Sequence, residues 1–158
     1  DLNCRAPMEL VHALGPQLGS RGRGGIGIMS SLAGLQGTAL TAHYSASKAY
    51  LRVLAEGLWA ELGPRGVDVT CCLAGPTETP TWRSTGATRP LDFPPVQSAR
   101  EVVDATLAAL GKTPVVVPSR FNRAVDLLMR RVLPTSMAVR LVSSTTRRMY
   151  RRPEGSSP

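Results

Sequence analysis

An α/β fold built on a parallel sheet is what this sequence predicts, on three observations. Segments of helical and strand periodicity alternate along most of the chain, in the order helix, strand, helix, strand, helix, strand. Two apolar runs, I-G-I-M-S-S and V-D-V-T-C-C-L, read as buried strands. The long helical segment between them supplies the crossover that parallel neighbours require. With 158 residues, 42% of them hydrophobic and 19% charged, the chain fits one globular domain with a real core and not a disordered class. No apolar run approaches the ~20 residues of a membrane span, and D-L-N-C-R-A-P-M has no signal-peptide character.

The opening segment, Asp1 to about Leu18, places Leu10, Val11, Leu14 and Leu18 at helical spacing, with Pro7 in its first turn. Gly15-Pro16 marks an expected break near its end, and the polar, Gly-rich Ser20–Arg23 reads as a loop. Gly24 to Ser30 is the first strand. The glycines of G-R-G-G-I-G precede that strand instead of following one and opening a helix, which excludes a phosphate cradle there. Gly34 to Ala42 connects to a helix that runs to about Leu62 and stops at Gly63-Pro64. Val67 to Leu73 is the second strand, bounded by Gly66 and Gly75.

Thr81 to Gln97, rich in Thr, Ser, Pro and Arg with Trp82 and Phe93, reads as a long loop, either a mobile lid over a ligand or a plain surface loop. Ser98 to Leu110 is an amphipathic helix with Val102, Val103, Thr106, Leu107 and Leu110 on its apolar side, closed by Gly111, and P-V-V-V-P at 114–118 is a short strand. Beyond it the character changes. Between Arg120 and Arg152 there are nine arginines and one acid, Asp126, so the whole net charge of +8 resides there. Pro134 divides this stretch into two expected helices, and R-R-P-E-G-S-S-P reads as a disordered tail.

Chemistry concentrates between Ser31 and Lys48. Tyr44 and Lys48 stand four apart on a helix and so share a face. A phenol transfers protons poorly at neutral pH unless a nearby positive charge favours the phenolate, which Lys48 can supply. Ser31, at the end of the first strand, offers a hydroxyl to the substrate oxygen. Cys4, Cys71 and Cys72 form neither a CxxC pair nor a zinc spacing and read as free thiols of a reducing compartment. His12 and His43 lack ligand partners at metal spacing, so no metal site is expected.

Ser31 precedes Tyr44 by 13 positions, and this S-x12-Y-x3-K arrangement, with S-S-L-A-G and Y-S-A-S-K-A around it, resembles the signature of the short-chain dehydrogenase/reductase family. The resemblance covers about Asp1 to Pro118. It implies the C-terminal half of a doubly wound, Rossmann-like parallel sheet, followed by basic helices at 119–158. It implies NAD(P) as cofactor and hydride transfer between nicotinamide and a small-molecule carbonyl or secondary alcohol. Tyr44 would be the general acid/base and would also contact the cofactor, Lys48 would favour the phenolate and hold the nicotinamide ribose, and Ser31 would polarise the substrate oxygen. Asn3, 28 positions before Ser31, would complete the set as a proton-relay residue. Gly75, Thr77 and Thr79 fall in the family's cofactor-binding turn, where Ala74 replaces the usual Pro and Thr77 a usual aliphatic residue.

The family's TGxxxGxG loop and NNAG segment do not occur in this sequence. The resemblance therefore implies the C-terminal part of a longer reductase, inactive in isolation, with an unpaired strand edge where the other half would dock. A homo-oligomer through the Tyr44 helix is a further family expectation, with Leu58 and Trp59 either in the contact or simply in the core. The alternative is a non-catalytic binding module whose basic tail associates with a membrane surface. For the tail itself, membrane contact and packing on the domain with solvated arginines both remain open, and nucleic acid is disfavoured because stacking aromatics are scarce. The expected location is cytoplasmic, membrane-peripheral if the tail binds lipid.

Overall fold

The structure, a computed structural model, describes residues 1–80 and 96–150. Trp82, Phe93 and the expected 81–97 loop lie almost wholly outside the described residues, as does the 151–158 tail. Its elements are α1 (Arg5–Arg21), β1 (Gly24–Ser31), α2 (Ala42–Leu62), β2 (Val67–Ala74), β3 (Thr77–Glu78), β4 (Gln97–Ser98), α3 (Ala99–Ala109), β5 (Val115–Val116), α4 (Arg120–Arg131) and α5 (Thr135–Met149). Strands β1, β2 and β5 form a parallel sheet in that spatial order, with Gly24 opposite Val67 and Ser31 opposite Ala74. Among the described residues β1 pairs only with β2, so its other edge is unpaired, as expected from the sequence.

Alternation along β2 sorts its side chains between two helical layers. Val67, Val69, Cys71 and Leu73 join Ile28 of β1 and Leu51, Ala55 and Leu62 of α2 in the main core. Ser47, Leu51, Ala55 and Leu62 are all buried, at steps of four, four and seven residues that define one face of α2. On the other sheet face α3 buries Val102, Thr106 and Ala109. Ser98 and Glu101 start that helix with a reciprocal capping box: the Ser98 hydroxyl accepts from the Glu101 amide at 3.2 Å, and the Ser98 amide donates to Glu101 Oε2 at 2.8 Å. These Ser98 donors hold the Glu101 carboxyl below its usual range.

Three expectations are corrected. Pro16 lies inside α1, which continues to Arg21. Gly15 is the buried residue of that helix, in ordinary contact range of Leu62, and the Gly-Pro pair does not stop the helix. Pro16 cannot donate to the His12 carbonyl, but both residues are exposed there. Next, Val103 and Leu107 of α3 are exposed, because the inward stripe runs through Val102, Thr106 and Ala109 instead. Last, Gln97 belongs to a strand: β4 pairs in parallel with β3 as a second, two-stranded sheet that brackets the intervening segment.

Cys71 and Cys72 are buried on opposite sheet faces, and Cys4 is half-exposed before α1. Burial pushes the Cys71 thiol up to about 12 and also raises that of Cys72. Because the thiolate is the reactive form, a native-state titration with a thiol reagent at pH 8 is expected to label Cys4 alone. Denaturant should then expose all three thiols. Native labelling of Cys71 or Cys72 would contradict this packing.

Candidate active site

The candidate residues gather at the C-terminal ends of β1 and β2, where open parallel sheets bind their ligands. Ser31 is the last residue of β1, and its hydroxyl accepts a hydrogen bond from the Ala33 amide at 3.2 Å, starting a single 3-10 turn at Leu32–Gly34. The Ser31 proton remains available to an external acceptor. Tyr44 lies in the first turn of α2 with 43% of its surface exposed. Lys48 follows one turn later, its Nζ 5.7 Å from the centroid of the Tyr44 ring, within the range where a cation acts on a ring.

Lys48 is held from three sides. Its Nζ donates to the Met29 carbonyl at 3.3 Å, and its own carbonyl accepts from the Ser30 hydroxyl at 2.7 Å. The backbone of Gly34 packs directly against the Lys48–Ala49 peptide, leaving no room for a Cβ. Half-burial lowers the Lys48 pKa by desolvation, against a weaker opposing influence from Cys71 and Cys4. The strand end thus fixes both the height and the orientation of the lysine relative to Tyr44.

Asn3 lies in the turn before α1, and its Nδ2 donates to the Ser47 hydroxyl at 3.4 Å. Ser47 in turn donates to the Tyr44 carbonyl at 2.8 Å. Asn3 is therefore tied to the Tyr44–Lys48 turn of α2 across 44 residues of sequence. Gly75 directly follows β2, and Thr77 closes the turn by donating from Oγ1 to the Gly75 carbonyl at 3.0 Å. Thr79 follows β3 and is half-buried.

Residues that the sequence reading did not single out complete this arrangement. Ser30 positions Lys48, and Ser47 links Asn3 to Tyr44. Asn122 of α4, 1% exposed, packs its side chain against Gly75, whose missing Cβ it requires. The Nδ2 of Asn122 has no hydrogen-bond partner among the described residues, an orphaned buried donor beside the turn after β2. No local signal marks these residues, since each acts through a contact distant in sequence. The connection into α2 is also anchored: the Thr38 and Thr146 hydroxyls share a hydrogen bond of 3.1 Å, and the Ala39 amide donates to Ser143 Oγ at 3.0 Å. Next to it Leu40 is held at a φ of 67°, a left-handed conformation unfavourable for leucine.

Comparison with known proteins bears on the family and the fold. The family model for short chain dehydrogenase matches residues 1–90. A very-long-chain 3-oxoacyl-CoA reductase of Pyrenophora tritici-repentis is 34% identical over 114 residues, covering 71% of this chain and 31% of that protein. A 7β-hydroxysteroid dehydrogenase of Clostridium sardiniense is 30% identical over 122 residues, 77% of this chain and 47% of that one. Among solved structures, a short chain dehydrogenase from Burkholderia cenocepacia in complex with NADP superimposes with a TM-score of 0.72 at 29% identity, covering 90% of this chain and 56% of that one. The chain spans between about a third and a half of the curated relatives it matches. With the family model matched over more than half its length and relatives at this identity, the chain belongs to the short-chain dehydrogenase/reductase family of oxidoreductases.

Proposed function

We propose that this chain carries the catalytic groups of an NAD(P)-dependent oxidoreductase acting on a carbonyl or secondary alcohol. The observation that carries the reading is Lys48, clamped by Met29, Ser30 and Gly34 with its ammonium 5.7 Å from the Tyr44 ring. A bound nicotinamide supplies or accepts hydride at the substrate carbon. The Tyr44 hydroxyl donates its proton to the substrate oxygen as an alcohol forms, or takes the proton up in the reverse direction. Ser31 donates a hydrogen bond to the same oxygen and polarises the carbonyl. Lys48 places its ammonium beside the Tyr44 ring and would hold the nicotinamide ribose, while Asn3, through Ser47, steadies the turn that carries both and supports proton relay.

The donor set fits the cofactor. Gly75, Thr77 and Thr79 would hold its nicotinamide end, at a turn where Asn122 still has a donor to give. The 7β-hydroxysteroid and 3-oxoacyl-CoA enzymes among the relatives and the NADP complex among the structures support this class. Exposed Tyr50, Val53 and Trp59 along α2 support a homo-oligomer contact, and three free cysteines fit a reducing, cytoplasmic location.

Fluorescence titration with NADH and NADPH, on this chain and on the product of its complete reading frame, tests the reading. We expect the longer product to bind at micromolar concentration and this chain to bind weakly, because no Gly-rich phosphate loop occurs in its sequence. Failure of both to bind either nucleotide would favour a non-catalytic binding module.

A further inference from the structure

The two C-terminal helices leave several large apolar side chains facing outward. On α4 the buried residues are Asn122 and Asp126, whereas Leu127, Leu128 and Val132 next to it are 59%, 49% and 66% exposed. On α5 the buried residue is Ala138 and half-buried Ser143 and Thr146 bond to the Thr38–Ala39 loop, while Met137 and Leu141 are each 54% exposed. Solvation alone does not account for such an arrangement. A helix that merely covers the domain puts its leucines against the core, whereas Leu127, Leu128 and Leu141 face outward here.

The charge on this surface is of one sign. Arg120, Arg123 and Arg131 of α4 and Arg140, Arg147 and Arg148 of α5 are exposed. The only acid between residues 120 and 150, Asp126, is buried. Helical spacing interleaves cations with the apolar residues. Met137, Leu141 and Arg148 follow one line along α5, and Arg120, Leu127 and Arg131 one line along α4. No described helix is long and apolar enough to cross a membrane.

We infer that the outer face of α4 and α5 docks on an anionic lipid bilayer, with both helices lying in the interface plane. Exposed leucine, valine and methionine enter the boundary between headgroups and acyl chains. The arginines reach lipid phosphates while their stems lie along apolar surface. Duplex nucleic acid matches the charge but offers nothing to the leucines, so a bilayer satisfies both halves of the pattern. Because α5 also holds the Thr38–Ala39 connection that leads to Tyr44, docking places the candidate active site next to the bilayer surface.

The test is co-sedimentation of the full chain with vesicles of phosphatidylcholine alone and of phosphatidylcholine mixed with phosphatidylglycerol. Binding is expected only to the mixed vesicles. The triple variant R140Q/R147Q/R148Q should reduce partitioning roughly a hundredfold, at about fivefold per arginine withdrawn from an anionic surface. R140K/R147K/R148K should retain partitioning, and circular dichroism confirms equal helicity of both variants. Leu141→Trp, at an exposed position, should show a blue-shifted emission on adding mixed vesicles. Failure to sediment, equal binding to neutral vesicles, no blue shift, or tighter binding to duplex DNA than to mixed vesicles would each overturn the inference.

Discussion

Tyr44→Phe is expected to lower kcat by roughly a thousandfold, within the span of contributions made by a positioned general acid/base. The substitution removes one oxygen and leaves the ring over Lys48, whose other anchors are main-chain groups of β1 and the Ser30 hydroxyl. Tyr44 is too exposed for the change to disturb the core. Stability and nucleotide affinity should therefore stay close to wild type while turnover falls. The measurement is steady-state oxidation or reduction, followed through the nicotinamide absorbance, with the product of the complete reading frame. Activity within about threefold of wild type would remove Tyr44 from the proton-transfer role. A parallel loss of nucleotide affinity would assign it to binding instead.

The second large effect concerns stability. A Cβ on Gly34 would lie 2.7 Å from the Lys48 carbonyl carbon, 2.8 Å from the Ala49 nitrogen and 2.9 Å from the Lys48 oxygen. All three are main-chain atoms of an α2 turn, so no side-chain rotation relieves the collision. The turn after β1 and helix α2 must separate, in a region whose neighbours Leu51 and Ala55 are almost wholly buried. Gly34→Ala is expected to cost about 2–3 kcal/mol, the upper range for overpacking a filled site, and to weaken the bond from Ser30 to Lys48. Denaturant titration measures the loss. An unchanged midpoint would show that the turn does not pack against α2 as closely as described.

Tyr44 and Lys48 were legible from the sequence because a helix face is a local property, fixed by a spacing of four. Both strands were legible for a similar reason, an apolar run bounded by glycines having few other uses, but only β2 is buried: β1 buries Ile28 and Ser30 and exposes Gly25, Gly27 and Met29. The Pro16 expectation failed because the hydrogen bond that proline removes is with the carbonyl of exposed His12, so the break it threatens falls on the outer side of α1. Val103 and Leu107 were misplaced because apolar residues at mixed spacings define more than one face, and Thr106 competed successfully for the buried one.

By itself, then, the sequence determined the alternating α/β order, the Ser31, Tyr44 and Lys48 constellation and the segregation of positive charge into the last helices. These rest on period, spacing and composition, which are read within a few turns of chain. Only the tertiary structure decided what holds that constellation: Ser30 on the Lys48 carbonyl, Asn3 on Ser47, Asn122 over Gly75 and Ser143 on Ala39. Each joins groups from 18 to 104 residues apart, and a hydroxyl or amide carries no mark of the distant atom it will meet. The same limit applied to α4 and α5. Their amphipathic pattern specifies two faces but not which one turns inward, and that choice was made by the loop and the glycine turn they pack against.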